Sequence, residues 1–233
     1  MNRRLLFLLS ALACLAAMGI ARAGLIDELN PEQRHEIESG GQVMLQEDLP
    51  GKPWPRVRIF RIIQAKPEEV AAVFFDYNNA QTYIPDLLHS KISKIISPSV
   101  LEVDYQVDVP ILADEAYTAR NELRAIDGGG FHVSWILLRA LQTKGAEGNL
   151  HIEPYGDGDS VICYTNLVTP GSGMAKILKL AALSRMQKTV ASIAKKVETQ
   201  KTSHPTMLAD QLARLREAIA TQIHPTQEAT ETR

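Results

Sequence analysis

Apolar residues recur at helical spacing from Ser172 to Glu198. Met174, Ile177, Leu178, Ala181, Met186, Val190, Ile193, Ala194 and Val197 draw one stripe, and Lys176, Lys179, Arg185, Lys188, Lys195 and Lys196 fall largely off it. The spacing predicts a long helix, capped by Ser172 and set off from the preceding chain by Pro170 and Gly171. Upstream the period changes to two. Leu101, Val103, Tyr105, Val107 and Val109 alternate with Glu102, Asp104, Gln106 and Asp108, the pattern of a half-buried strand. Tyr117 to Ile126 repeats it, with Thr118, Arg120, Glu122 and Arg124 on the wetter face, where Arg120 and Glu122 are expected to pair. Asp127-Gly128-Gly129-Gly130 turns the chain into Phe131 to Leu138. Gly148 to Pro154 and Ser160 to Val168 form a further hairpin about Gly156-Asp157-Gly158, so the strands read as an antiparallel meander.

The N-terminal part is less regular. Gly24 to Glu38 is an acidic helical segment, broken by Gly40-Gly41. Gln42 to Asp48 and Arg56 to Ala65 read as strands. Pro67-Glu68-Glu69 starts a helix that buries Val70, Val73 and Phe74, and Asp76 to Asn79 ends it. A second short helix is predicted over Ala80 to Leu88, interrupted by Pro85. Beyond Glu198, Thr199 to Pro205 reads as a linker, Met207 to Ile219 as a short amphipathic helix, and Thr221 to Arg233 as a polar tail. A helix with so wide an apolar face needs a partner surface, and a sheet is the one large candidate. The expected class is α+β: a curved antiparallel sheet wrapped around the long C-terminal helix. The functional space is expected between the two.

Local motifs agree with that order. Arg56-Val57-Arg58-Ile59-Phe60-Arg61-Ile62-Ile63-Gln64-Ala65-Lys66-Pro67-Glu68-Glu69-Val70 is a strand running into an A-x-P-E-x-V helix start. Asp76-Tyr77 is followed by Tyr83-Ile84-Pro85, and Asp108-Val109-Pro110 leads to Asp114-Glu115-Ala116-Tyr117. Thr169-Pro170-Gly171-Ser172-Gly173 precedes the long helix. Together these resemble the helix-grip domains of the START-like, or SRPBCC, superfamily, which includes lipid-transfer domains and polyketide cyclases. Glu115-Ala116 departs from the Arg-Asp pair of that family's pattern. The likeness spans roughly Gln42 to Glu198. It implies a deep cavity for lipids, sterols, quinones or other apolar small molecules, and it implies no reaction, because carriers and enzymes share the fold.

Residues 1–23 carry Arg3 and Arg4, an apolar run from Leu5 to Ile20, and Ala21-Arg22-Ala23, the pattern of a secretory signal cleaved before Gly24. An uncleaved anchor and lipidation at Cys14 are the alternatives. The expected organisation is therefore a signal peptide over 1–23, a helical segment over 24–41, the ligand-binding domain over 42–198, and linker, helix and tail over 199–233. Export implies a periplasmic or secreted protein. Cleavage removes Arg3, Arg4 and Arg22, leaving 22 Lys and Arg against 27 acids, a formal balance of −5. That balance argues against nucleic-acid binding.

Alternation along the strands selects candidate ligand contacts. Val103, Tyr105 and Val107 share one face, as do Tyr117, Asn121 and Leu123, and as do Phe131, Val133, Trp135 and Leu137. Met174, Leu178, Ala181 and Met186 face them from the helix, and Tyr83 joins the set from the Tyr-x-Pro stretch. Asn121 and Tyr105 are the polar groups that would orient a ligand. His35, His89, His132, His151, His204 and His224 are scattered without ligand spacing, and Cys163 is the one cysteine of the cleaved chain, so no metal or cofactor is expected. Gly171-Ser172-Gly173 is neither a nucleophile elbow nor a phosphate loop. His132 and Asp104, the nearest acid–base candidates, fall on the outer face. These features favour a non-enzymatic carrier of a hydrophobic small molecule. One alternative is a cyclase- or hydrolase-like enzyme working in the same cavity. The other is an envelope accessory protein that docks a partner through its C-terminal helices. Transient contact with a membrane surface through the basic face of the long helix is also expected.

Overall fold

Eight strands form one antiparallel sheet in the computed structural model, which describes residues 24–109, 113–171 and 175–223. The chain begins with a 3-10 turn at Leu25–Glu28 and α1 (Pro31–Glu38), then β1 (Gln42–Glu47) and β2 (Arg56–Ile63). After α2 (Pro67–Phe74) and a 3-10 turn at Tyr77–Thr82 come β3 (Leu87–Ser97), β4 (Val100–Val107), β5 (Glu115–Ile126), β6 (Gly130–Ala140), β7 (Thr143–Tyr155) and β8 (Asp159–Pro170). Two helices close the described chain, α3 (Ala175–Ser203) and α4 (Pro205–Ile223). The order across the sheet is β1-β2-β8-β7-β6-β5-β4-β3. Consecutive strands from β3 to β8 pair antiparallel, and β8 returns to β2 with Ile59 opposite Tyr164. The sheet curves around α3, an α+β helix-grip arrangement.

Packing follows from the two periodicities. On the concave side Ile59, Leu123, Val133, Leu150 and Ile162 meet Val70 and Val73 of α2 and the second half of the α3 stripe. Val190, Ile193, Ala194 and Val197 of that half are fully buried. On the convex side Phe60, Val161 and Cys163 bury Leu25, Leu29 and Ile37, so β2 and β8 are apolar on both faces where the N-terminal segment lies. Asn30 caps α1, accepting from the Gln33 N–H at 2.9 Å and donating its own N–H to Gln33 Oε1 at 3.0 Å.

Four expectations are corrected. The short helix over Ala80 to Leu88 is a 3-10 turn that ends at Thr82, and Leu87 and Leu88 belong to β3. Pro85 and the left-handed Asp86 (φ 61°) break the helical path. Thr199 to Ser203 is helical, because Gln200 is fully buried and its side chain donates to Gln211 of α4. The break falls at His204, with Pro205 opening α4. Helix α4 reaches Ile223 and packs on α2, α3 and β5 through Leu208, Leu215 and Ala218. Arg120 pairs across the strands with Glu102 at 3.0 Å, and Glu122 pairs with Arg124 at 2.7 Å. Ser172 and the tail beyond Ile223 lie outside the described residues. No described helix is long and apolar enough to cross a membrane.

Candidate functional site

The first half of α3 stands off the sheet. There the stripe residues Leu178, Ala181 and Met186 line a cavity of about 340 Å³, and Met186 also packs against the edge of the main core. That volume is near the lower end of the roughly 300–1,000 Å³ typical of small-molecule sites. Strand alternation supplies its floor: Tyr105 and Val107 from β4, Tyr117 and Asn121 from β5, Trp135 and Leu137 from β6. Tyr83 contributes from the turn after α2. Ala181 and Gln142 are exposed lining residues, so the cavity opens between α3 and the β6–β7 turn.

Two residues expected in the wall sit elsewhere. Val103 is fully buried in a cluster with Tyr77 and Leu101, and Val133 is fully buried in the main core. Both point to the correct face, but they lie under the helical layer rather than under the gap. Met174 lies outside the described residues.

Other wall residues were not foreseen. Tyr164 and Asn166 follow Ile162 on the inward face of β8, and period-two reading of that strand would have found them. Glu115 shares parity with Tyr117, Ala119 and Asn121 and is buried in the wall. Both its carboxylate oxygens accept the Gln142 N–H, at 3.0 and 3.1 Å, and Oε1 also accepts that of Thr143 at 3.1 Å. Arg185, counted among the solvated bases, turns inward. Its Nε donates to Asp86 at 3.0 Å and its Nη2 to the Asp108 carbonyl at 2.5 Å. The only charged groups among the described lining residues, Glu115 and Arg185, are therefore already held by the protein.

Aromatic rings dominate the rest. Trp135 lies 5.2 Å from Tyr164 and 6.2 Å from Phe74, centroid to centroid, and Tyr105 stacks on Tyr117 at 4.9 Å with 24° between planes. Burial pushes the Tyr117 phenol up to about 12, against the pull of the Arg185 charge. The Tyr77 phenol is also raised by burial. The same cause raises Tyr105, helped by Tyr77 and Tyr117 and opposed by its hydrogen bond to Asn121. These hydroxyls stay neutral at ordinary pH and act as hydrogen-bonding groups rather than as bases.

The acid–base candidates lie outside the cavity. Asp104 accepts from Thr118 Oγ1 at 2.5 Å and Arg139 at 3.3 Å on the outer face. His132 sits beside His151 with ring centroids 5.9 Å apart, and burial, with the His151 neighbour, lowers its pKa. The Cys163 thiol is pushed up by burial against the N-terminal segment. Among the described residues no three His, Cys, Asp or Glu side chains are grouped so as to hold a metal ion.

No family model matches the sequence, and no curated protein matches it. Solved structures do resemble the fold. A STAR-related lipid transfer protein fragment from Xanthomonas axonopodis is similar with a TM-score of 0.62 at 15% identity, over 68% of this chain and 94% of that one. The Zhui aromatase/cyclase from Streptomyces sp. R1128 gives 0.56 at 13%, over 64% and 96%. Human STARD10 gives 0.56 at 13%, over 81% and 79%. The fold is START-like.

Proposed function

We propose that this protein is an exported, non-enzymatic carrier that holds a hydrophobic small molecule between the sheet and α3. The observation that carries this reading is the cavity wall: apolar and aromatic side chains, with both charged groups engaged internally. Such a wall favours an apolar guest by about 25 cal/mol for each Å² removed from water. The STAR-related lipid transfer protein among the similar structures supports a carrier role. Native mass spectrometry of the purified protein tests it. The expected spectrum shows a co-purified apolar molecule, and a ligand-free chain that takes up none on incubation with lipid extract refutes the reading.

Export accounts for the apolar run before Gly24. Gly24 itself is tied down, donating to Asp27 at 3.0 Å, while Leu25 donates to Glu153 at 2.7 Å and is buried. Sequencing of the mature protein should start at Gly24, and an intact Met1 in the membrane fraction would favour an anchor. Delivery calls for contact with a membrane surface. Leu141 and Leu180, 72% and 77% exposed, adjoin the exposed lining residues Gln142 and Ala181 in sequence, with Lys144 and Lys179 close by in the chain. Vesicle binding that depends on anionic lipid and falls with salt supports that contact. Glu115 favours a second reading, an enzyme of cyclase type with a buried carboxylate in the wall. Glu115→Gln would then abolish turnover while leaving binding intact.

A further inference from the structure

We infer that the cavity is built for a flat, uncharged ring compound bearing carbonyl or hydroxyl groups, rather than for a two-chain lipid; this rests on the carrier reading above. Both Trp and five of the six Tyr of the chain line this one space. A wall evolved only to exclude water from acyl chains has no need of rings, since aliphatic side chains cover flexible chains equally well. Rings present rigid faces, and their quadrupoles favour offset stacking with another ring.

The rings fall into two groups. Trp135 lies against the backbone of β7 because its register partner is Gly148. A Cβ at Gly148 would stand 2.4 Å from the indole Cζ2. Tyr164 tilts 35° from that indole, and Tyr105 and Tyr117 form a second, separate stack. Two ring groups on one curved sheet suit a guest that extends both stacks.

Size and charge point the same way. About 340 Å³ accommodates a compact guest of drug-like size. A ligand with a fixed charge would find Arg185 occupied by Asp86 and the Asp108 carbonyl, and Glu115 occupied by two backbone amides. What remains unmatched is neutral. Tyr77 Oη and Asn166 Oδ1 line the cavity or its floor, are buried, and have no hydrogen-bond partner among the described residues. A phenol donates to a carbonyl, and an amide oxygen accepts from a hydroxyl. Leaving such groups unpaired is unfavourable, so a ligand that satisfies them is selected over one that does not.

The test uses three probes and the intrinsic fluorescence of Trp54 and Trp135, both of which line the cavity. The probes are 2-methyl-1,4-naphthoquinone, cis-parinaric acid and pyrene-labelled phosphatidylcholine in vesicles. The quinone should quench saturably and bind at least tenfold tighter than the other two. Tyr164→Leu and Tyr105→Leu should weaken quinone binding about three- to tenfold, the range expected for loss of one stacking partner. Tyr164→Phe, which keeps the ring and guards against a folding defect, should bind as the parent does. Tyr77→Phe should weaken quinone binding about threefold or more and leave parinaric acid unaffected. Tighter binding of either lipid probe, or Leu variants that bind quinone as well as the parent, overturns the inference and leaves the carrier reading standing. Failure of all three probes to bind removes the carrier reading and this inference together.

Discussion

Arg185 of α3, a cavity-lining residue, and Asp86 form a 3.0 Å ion pair, and Asp86 holds the left-handed conformation that ends the turn before β3. The same guanidinium reaches the Asp108 carbonyl just after β4. One side chain thus ties the front of the helix to both ends of the β3–β4 hairpin. Because Arg185 is partly buried, the tie is worth more than an exposed ion pair, about 1 kcal/mol. Arg185→Ala should lower stability by that amount and speed release of a bound fluorescent probe several-fold. Lys at this position keeps the charge but loses the two-pronged donor, and should recover only part of the slow release. Stopped-flow displacement reads the rates; an unchanged rate would show that this tie does not close the cavity.

Gly148→Ala should disturb the site through Trp135. The new Cβ would meet the Thr165 carbonyl oxygen at 2.3 Å and the indole at 2.4 Å, and backbone on one side cannot yield cheaply. Overpacking of this kind costs about 1–3 kcal/mol. Denaturant titration should show the loss, and the tryptophan emission maximum should move. An unmoved spectrum would mean that the indole is not held against β7.

Helix α4 should be indispensable to the fold. Leu215 is only 2% exposed, so Leu215→Ala removes a packed side chain and should cost about 2–5 kcal/mol. Truncation after Ser203 should give an unstable or insoluble chain. It would expose the core that Leu208, Leu215 and Ala218 cover, and strip Asp76 of its 2.5 Å hydrogen bond from Gln211. Circular dichroism and thermal melts decide; a truncated chain with the parent's melting temperature would make α4 an appendage.

Alkaline pH should unfold the protein through its buried phenols. Tyr117 in the folded chain is held up to about 12, above the ordinary tyrosine value near 10. Its contribution is complete below pH ~10, declines as the unfolded chain ionises first, and is lost as pH rises through about 12. Stability should therefore fall across that window, and Tyr117→Phe should make the fall shallower. Equilibrium denaturation at stepped pH measures it; parallel curves for parent and variant would place Tyr117 in water in the folded state.

Local pattern carried much of the architecture. Alternation in β4, β5 and β6 put Tyr105, Tyr117, Asn121 and Trp135 on one face, because side-chain direction in a strand is decided by neighbouring backbone alone. The stripe on α3 was equally legible, and its split into a fully buried part at Val190 to Val197 and a cavity-lining part at Leu178 to Met186 was not. Depth along the strand depends on which helix crosses above, which is why Val103 and Val133 proved to be core while Leu137 proved to be wall.

Polar residues were decided by partners distant in sequence. Glu115 shares the inward parity of Tyr117, but its burial rests on the β6–β7 turn, which brings the amides of Gln142 and Thr143 to it. Arg185 reads as a solvated base until Asp86 and Asp108 stand beneath it. Gln200 reads as linker until Gln211 meets it and Asp76 completes the chain. Sequence by itself determined which face each side chain takes, since that is a property of the local backbone. Tertiary structure alone decided which polar groups are buried, because burial becomes tolerable only when a hydrogen-bond partner from elsewhere in the chain arrives to offset the lost water.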